Sequence, residues 1–186
     1  MKEVSVGIDI GGTNTVLGVV DKEGEILKET SMPTSTHETF DLYLKALREK
    51  IDRLLQSVSD NALKGIGIGA PNANYYTGTI EDAPNLKCKV TLEFVNKLKT
   101  YYDLPIALTN DANAAAMGEM IYGAATGLSD FIVITLGTGL GSGIVVNGDI
   151  LYGYNGVAGE VGHTLVYENG RQCGCGKKGC LETYVS

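Results

Sequence analysis

The feature that most constrains the fold of this chain is a pattern of strand, glycine turn and strand that occurs twice. The first copy, "IDIGGT" followed by "VLGVV", spans residues 8–20, and the second, "ITLGTG" followed by "GIVV", spans residues 134–146. In each copy a polar turn leads on to a third strand, because β-branched runs bounded by Gly, Asn and Asp are typical of hairpins. The repeat predicts an internal duplication with two similar α/β lobes, each built on a twisted mixed sheet. We expect a cleft between the two glycine turns.

The segments around these copies predict where the lobes begin and end. Apolar residues at helical spacing predict an amphipathic helix over residues 38–58. An alanine-rich helix over 111–122 ends at Gly123, a residue type that terminates helices. We predict a first lobe over residues 1–122 and a second over 123–186, which is incomplete because only one meander and a cysteine-rich region follow. Smaller elements are predicted as a strand at 65–70, a hairpin at 74–80, a helix at 92–102 and a strand at 105–108.

Charge and composition narrow the classes of partner. The chain has 186 residues, a net charge of -7 and no basic stripe, which argues against a nucleic-acid surface. Its N-terminus lacks the apolar core of a secretory signal, and no apolar run approaches the ~20 residues of a membrane-spanning helix. We therefore expect a cytoplasmic protein that binds a small polar ligand and neither nucleic acid nor membrane. Thiols stay reduced in that compartment, so clustered cysteines favour a metal or catalytic role over disulfides.

The two glycine turns are candidate phosphate sites. Glycine lets backbone N–H groups approach the oxygens of a triphosphate, and a threonine hydroxyl adds a donor. Neither turn is a Walker A loop, because no Gly-Lys-Ser/Thr follows, and a tight hairpin is the alternative interpretation. Asp9 is a candidate ligand of Mg²⁺ through water, or it caps the turn. The predicted nucleotide-binding residues are Asp9, Gly11, Gly12, Thr13, Gly137, Thr138 and Gly139.

A further candidate lies at the start of the alanine-rich helix, in the sequence "LTNDANAAA". Asn110 and Asp111 follow a short apolar strand, so one of them is expected to cap the helix N-terminus. A phosphoryl-transfer enzyme needs a carboxylate that accepts the proton of the attacking hydroxyl and orients its oxygen toward the γ-phosphate. The two roles are compatible in one residue, and Asp111 is a candidate for the second.

The sequence "GHTLVYENGRQCGCGKKGCLE" at residues 162–182 holds one of the chain's two histidines and three of its four cysteines. His163, Cys173, Cys175 and Cys180 offer the nitrogen and sulfur ligands that tetrahedral Zn²⁺ prefers. Their spacing, Cys-x-Cys-x4-Cys, differs from the paired Cys-x-x-Cys of zinc ribbons, so free thiols and a redox role are alternatives.

Glu160 and Glu182 bracket the cysteine-rich region. Ionised carboxylates are strong acceptors for the hydroxyl donors of a polyol. If zinc folds residues 163–180 into a compact loop, both glutamates and the free edge of His163 can face one sugar. The alternative is that they are ordinary surface charges, since glutamates are mostly exposed.

Together these segments resemble the ROK family (repressor, open reading frame, kinase), and specifically its bacterial glucokinase-like members. "GIDIGGTNTVLGVVDKEGEIL" resembles the first phosphate motif of the family and "ITLGTGLGSGIVVNGDIL" its second. "TNDANAAAMGE" resembles the catalytic-base segment, and "GEVGH" with "CGCGKKGCLE" resembles the family signature with its zinc loop. The match runs from Ile8 to Glu182. The last motif is very specific, because other sugar kinases and actin-like ATPases carry the glycine turns without it.

The resemblance implies the actin-like ATPase fold, which is ribonuclease H-like, and ATP-dependent phosphorylation of a hexose, with the 6-hydroxyl of glucose as the leading acceptor. It implies that Asp111 is the general base and that His163 uses one ring nitrogen for zinc and the other for sugar. The implied cofactors are ATP, Mg²⁺ and a structural Zn²⁺. The residues that it assigns to the sugar are Asn85, Asn110, Asp111, Glu160, His163 and Glu182, and those that it assigns to zinc are His163, Cys173, Cys175 and Cys180.

Two departures from the family pattern bear on these expectations. Asn72 follows Pro71 where family members usually have glycine, and family chains continue well beyond this sequence through an adenosine-contacting segment. We therefore expect weak or absent turnover from these 186 residues alone. A sugar-sensing ROK regulator is an alternative, although its helix-turn-helix would have to precede the strand that begins at Val4. A kinase for another hexose, such as N-acetylmannosamine or fructose, is a second alternative, and a homo-oligomer, dimer or tetramer, is expected of the full-length protein.

Overall fold

The computed structural model describes residues 2–58, 62–81 and 91–186. The chain divides into two compact units, Met1–Asp111 and Ala112–Ser186. This division falls after the first residue of the alanine-rich helix, whereas the predicted lobe boundary followed the whole helix. The predicted extent of the lobes stays a prediction. Over the described part of the chain, every helix is too short or too polar to cross a membrane.

Over its described residues, the first unit begins with a three-stranded meander, and two helices and four further strands follow it. Its strands are β1 (Glu3–Ile10), β2 (Asn14–Asp21), β3 (Ile26–Pro33), β4 (Ala62–Gly69), β5 (Ala73–Asn74), β6 (Thr79–Ile80) and β7 (Ile106–Thr109). Its helices are α1 (Phe40–Gln56) and α2 (Phe94–Lys99). The predicted meander and the predicted hairpin at 74–80 are confirmed, while the helix predicted over 92–102 is shorter because residues after Lys99 form a turn.

Five of these strands form a mixed sheet in the order β3-β2-β1-β4-β7. The meander strands pair antiparallel, and β1, β4 and β7 run parallel to one another. Asp9 pairs with Gly69, and Gly69 pairs with Thr109, so the carboxyl ends of the three parallel strands share one edge. Ligands of open α/β sheets bind beyond that kind of edge, which is where the first glycine turn and Asp111 follow their strands.

The core of the first unit lies where helix α1 covers the apolar residues of the sheet. Thr39 begins the helix, because its hydroxyl accepts a hydrogen bond from the Leu42 N–H at 3.3 Å. Alternation in β1 and β2 buries every second side chain, and Leu17 and Val19 are fully buried. The buried face of α1 comprises Tyr43, Leu44, Leu47, Ile51 and Leu54.

The second unit repeats the meander and adds an irregular region. Its strands are β8 (Phe131–Leu136), β9 (Leu140–Val146) and β10 (Asp149–Ile150), which form a three-stranded sheet in the order β10-β9-β8. Helix α3 (Asp111–Tyr122) leads into this unit with the predicted bounds, and a 3-10 turn (Val161–His163) and helix α4 (Glu182–Val185) follow. Asn147 and Gly148, both at positive φ, make the tight turn between β9 and β10.

Close packing of small residues joins β9 to α3. A Cβ placed on Gly143 would lie 2.5 Å from the Cβ of Ala116 and 2.7 Å from the carbonyl oxygen of Ala112. The helix therefore approaches the strand at a distance that only glycine on one side and alanine on the other allow. The alanine-rich sequence thus has a packing role in addition to its helix propensity.

Candidate functional site

The first glycine turn is held by backbone hydrogen bonds from two directions. The Gly11 N–H donates to the Asn14 carbonyl at 2.9 Å, and a Cβ on Gly11 would lie at that same distance from this oxygen. The Thr34 N–H donates to the Thr13 carbonyl at 2.8 Å, which ties the turn to the chain after β3. Gly12 and Thr13 are exposed. The turn is therefore a fixed backbone loop that leaves two of its residues open to a ligand.

Two carboxylates lie at the edge of the sheet beside this turn. Asp9 is the next-to-last residue of β1, and Asp111 is the first residue of α3, separated from β7 by Asn110 alone. Loss of hydration, and to a smaller extent the negative charge of Asp111, raise the pKa of the Asp9 carboxyl above its ordinary value. A cation between phosphate oxygens and Asp9 would relieve that repulsion, so the residues present fit a water-mediated Mg²⁺.

The loop after β4 explains how the departure at Asn72 is accommodated. Asn72 has a φ of 56°, and the Ala73 N–H donates to the Ala70 carbonyl at 3.4 Å. Proline followed by a residue at positive φ is the pattern of a type II turn, in which asparagine is the usual substitute for glycine. Asn72 therefore adopts a backbone conformation that favours glycine and that asparagine tolerates.

The second glycine turn connects β8 to β9 and lies beside a carboxylate. The Gly137 N–H donates to the Gly139 carbonyl at 3.0 Å, and Gly137 and Thr138 are exposed. A Cβ on Gly137 would meet nothing within 4 Å, whereas one on Gly139 would lie 2.8 Å from Oε2 of Glu182. The two glycines of this turn therefore have different surroundings.

The predicted zinc ligands converge on one point. The ligand atoms of His163, Cys173, Cys175 and Cys180 all lie within 4.8 Å of one another. Sγ of Cys173 is 3.7 Å from Nδ1 of His163, and Sγ of Cys175 is 3.7 Å from Sγ of Cys180. A tetrahedral Zn²⁺ with bonds of about 2.3 Å to sulfur places two sulfurs about 3.8 Å apart. The donor set and its spacing fit this metal.

The backbone of the loop brings these residues together. The Cys173 N–H donates to the Lys177 carbonyl at 2.9 Å, and the Gly179 N–H donates to the Arg171 carbonyl at 2.8 Å. Gly176 and Gly179 have φ values of 90° and 79°, which favour glycine strongly. Cys173 and Cys180 are buried and Cys175 is exposed.

The thiols of the loop differ in their tendency to ionise. A hydrogen bond to the Glu182 carboxylate raises the pKa of the Cys173 thiol to about 12, while the backbone N–H of Lys177 lowers the pKa of Cys175. A bound divalent cation would override the first of these effects, because thiolates are the form in which cysteines ligate metals.

The imidazole of His163 lies close to both the cysteines and the two predicted sugar-binding glutamates. Its Nδ1 faces Cys173 and lies 3.5 Å from Oε1 of Glu182, while its Nε2 lies 3.9 Å from Oε2 of Glu160. One ring nitrogen is thus directed at the metal ligands and the other at a carboxylate. Glu182 is more buried than Glu160, with side-chain exposures of 19% and 51%.

Within each unit the structure therefore brings together the groups that the sequence analysis singled out. Asp9 and Asp111 interact in the first unit, and Glu160 and Glu182 both lie beside the His163 imidazole in the second. The predicted sugar residue Asn85 lies outside the described residues. The structure places the remaining predicted residues in the expected turns, and their roles stay predictions: these are Asn110, Thr138, Gly11, Gly12, Gly137 and Gly139.

Sequence reasoning missed the contacts that hold α4 against the cysteine loop. The Arg171 N–H donates to the Tyr184 hydroxyl at 2.9 Å, and its guanidinium donates to the Thr183 carbonyl at 2.7 Å. The same guanidinium lies 4.8 Å from the centre of the Tyr184 ring. The only signal in the sequence was an aromatic residue close to the last cysteine, which is too common to be informative.

Comparisons with known proteins identify the family of this chain. A sequence profile of the ROK family matches residues 5–186. The chain belongs to the ROK family. A glucokinase of Halalkalibacterium halodurans is 42% identical over 185 residues, which cover 97% of this chain and 56% of that relative. The predicted family is thereby confirmed, and the chain spans about half the length of the curated relatives that it matches.

Solved ROK structures confirm the fold class. A ROK family glucokinase from Streptomyces griseus, crystallised with glucose and AMPPNP, is 39% identical, with a TM-score of 0.82 over 98% of this chain and 57% of that one. A ROK family transcriptional regulator, a homologue of the E. coli Mlc protein, is 27% identical, with a TM-score of 0.87 over 100% of this chain and 47% of its own. The chain therefore has the α/β architecture with mixed sheets of the actin-like ATPase fold, and only part of that fold is present.

Proposed function

We propose that this chain carries the catalytic base and the sugar- and phosphate-binding residues of an ATP-dependent hexose kinase, with glucose as the acceptor. The observation that carries the proposal is the imidazole of His163, which has one nitrogen at the cysteine cluster and the other 3.9 Å from Glu160. The glucose and AMPPNP bound to the Streptomyces griseus relative support the choice of substrates.

Asp111 is the general base in this proposal. Its carboxylate accepts the proton of the 6-hydroxyl as the hydroxyl oxygen forms a bond to the γ-phosphorus, and the bond from that phosphorus to the bridging oxygen breaks to release ADP. The position of Asp111 at the start of α3 supports this role, because helix N–H groups favour the ionised carboxylate that a base requires.

The backbone of the two glycine turns binds the phosphates, with Gly11, Gly12 and Thr13 in one turn and Gly137, Thr138 and Gly139 in the other. Asp9 would hold Mg²⁺ through water, and that ion would supply positive charge to the phosphate oxygens when bound. The exposure of Gly12, Thr13, Gly137 and Thr138 supports access to a ligand.

The sugar is bound by Glu160, His163 and Glu182, with Asn85 and Asn110 as further candidates. His163 and the three cysteines would hold a structural zinc, and the imidazole would then be oriented so that its Nε2 stays available for a sugar hydroxyl. Glutamate oxygens accept hydrogen bonds from other hydroxyls of the same sugar.

The proposal is tested by Asp111→Asn in the full-length protein that contains these residues. We expect kcat for glucose phosphorylation to fall about 10²- to 10⁴-fold with little change in the KM values, because only proton acceptance is removed. Asp103→Asn, an exposed aspartate outside the proposed site, is the matched control and keeps the wild-type rate. An unchanged rate for Asp111→Asn in a coupled ADP assay would contradict the mechanism.

A sugar-responsive regulator is the second candidate, favoured by the TM-score of 0.87 to the transcriptional regulator. The same assay separates the two functions, since a regulator binds sugar without glucose-dependent release of ADP. Comparing glucose, mannose, fructose and N-acetylmannosamine as acceptors identifies the preferred hexose.

A further inference from the structure

The space beside Gly139 is occupied by a side chain rather than left open for a ligand. A Cβ at this position would lie 2.8 Å from Oε2 and 3.9 Å from Cδ of Glu182. A real Cβ does not approach an oxygen this closely, so the carboxylate would have to move if residue 139 had a side chain. Glycine at 139 is therefore coupled to the position of Glu182.

Backbone conformation gives no separate reason for glycine at this position. Gly139 is not among the glycines at positive φ, so an alanine adopts its backbone conformation without strain. Gly137, in the same turn, is also outside that group, and a Cβ on it would meet nothing within 4 Å. Of the two residues, only Gly139 faces a carboxylate at the place where a side chain would begin.

The other oxygen of the same carboxylate is directed at the cysteine cluster. Oε1 of Glu182 lies 2.8 Å from Sγ of Cys173 and 3.5 Å from Nδ1 of His163. The side chain is largely buried, with 19% exposure. Glu182 is thus confined between the second glycine turn on one side and two of the predicted metal ligands on the other.

We propose that Gly139 is a positioning residue for the sugar site, because its missing side chain leaves the space that the Glu182 carboxylate needs. The inference rests on the proposed function, in which Glu182 accepts a sugar hydroxyl. It differs from the expectation that Gly139 serves phosphate binding alone, since it assigns the glycine to recognition of the hexose.

Gly139→Ala tests this inference in the full-length, zinc-loaded protein, with Gly137→Ala as the matched control. The atom that must move is the end of a flexible side chain, so the variant folds and retains zinc. We expect its Kd for glucose, measured by calorimetry without nucleotide, to rise about tenfold, because a hydrogen bond to a charged group is lost or misdirected. Gly137→Ala keeps the wild-type Kd for glucose within about twofold.

Three results would overturn the inference: a wild-type glucose Kd for Gly139→Ala with a raised KM for ATP alone, an equal loss of glucose affinity in Gly137→Ala, or loss of zinc from Gly139→Ala. A crystal structure of Gly139→Ala provides a measurement that needs no sugar. We expect the Glu182 carboxylate to be turned away from residue 139, and an unmoved carboxylate would also overturn the inference. If the wild type bound no hexose, the proposed function would fail while the crystal structure still decided the role of Gly139.

Discussion

The two glycine turns have similar sequences, yet different interactions hold them. The first is tied to Thr34, whose hydroxyl lies 2.9 Å from the Thr15 hydroxyl, which in turn lies 2.8 Å from the hydroxyl of Tyr43 on α1. These three side chains are almost completely buried. The second turn instead lies beside Glu182, a side chain that contacts the cysteine cluster. A packed core supports the first turn, and the carboxylate beside the cysteine cluster adjoins the second.

The strands that carry these turns show the same contrast. In β2, Leu17 and Val19 are 0% exposed, whereas in β8 Ile134 and Leu136 are 51% and 65% exposed. A short sequence pattern therefore determines a hairpin, while the elements packed around the hairpin determine what stabilises it. Apolar burial is the main stabilising contribution in the first unit, and we propose that metal coordination has this role for the cysteine loop of the second.

Removing the proposed metal is expected to have the largest effect, and this effect is confined to the cysteine loop of the second unit. Chelation, or Cys180→Ser, should abolish hydrogen-exchange protection of the Gly179 amide, because structural zinc contributes about 10–16 kcal/mol in small metal-dependent folds. The amides of Val6 and Leu17 in the first sheet keep their protection and serve as the internal control. A Gly179 amide equally protected without metal would show that the loop is stable by itself.

Truncating one apolar residue in each meander measures the contrast in burial. Leu17→Ala should lower the free energy of unfolding by about 2–5 kcal/mol, because it leaves a cavity in a packed core. Ile134→Ala should lower it by less than about 1 kcal/mol, since half of that side chain is already in water. Urea unfolding of this chain, followed by circular dichroism, measures both values. Equal losses would contradict the assignment of the core to the first unit.

Removing a single hydroxyl sharpens the comparison at the first turn. Tyr43→Phe should lower the free energy of unfolding by about 1 kcal/mol, because Thr15 loses one of its two buried partners. Tyr102→Phe is the matched control. The Tyr102 hydroxyl donates to Asp52 of α1 at 2.7 Å, but this contact is only partly buried, so water replaces the hydroxyl as the partner of Asp52 in the variant. The loss for Tyr102→Phe should be the smaller of the two in urea unfolding.

The pH dependence of Tyr43 provides a second measurement of the same variant. Burial raises the pKa of Tyr43 from 10.0 to about 12, so the folded state favours the neutral phenol. The neutral phenol of Tyr43 makes its full contribution to stability below pH 10, and this contribution is lost as the pH rises toward 12. Tyr43→Phe should lack that part of the alkaline decline, and an identical decline in the variant would exclude Tyr43 as its cause.

Much of the local structure followed from the sequence. The alternation in β1 and β2 and the helical spacing in α1 were sufficient because each pattern has one period and one buried face. The cysteine cluster was also predictable, since a histidine and three cysteines near one short glycine-rich segment offer the nitrogen and sulfur ligands that tetrahedral zinc prefers. The helix over 92–102 was overestimated because apolar spacing does not specify where a short helix ends.

Relations across long sequence separations were not predictable. The sequence around Gly139 does not indicate that Glu182 occupies the space beside it. The sequence around Thr15 likewise does not indicate that its hydroxyl lies within hydrogen-bond distance of Tyr43. Similarly, the sequence indicated that Asn72 replaces a glycine, but only its φ of 56° explained why the replacement is accommodated.

The sequence by itself determined the two meanders, the amphipathic helix, the family and the set of candidate metal ligands, because these depend on residue type and on spacing along short stretches of chain. Only the tertiary structure decided which nitrogen of His163 faces the cysteines and which glycine faces a carboxylate. Such relations depend on distances of a few ångströms between segments that chain folding brings together, and no local pattern encodes them.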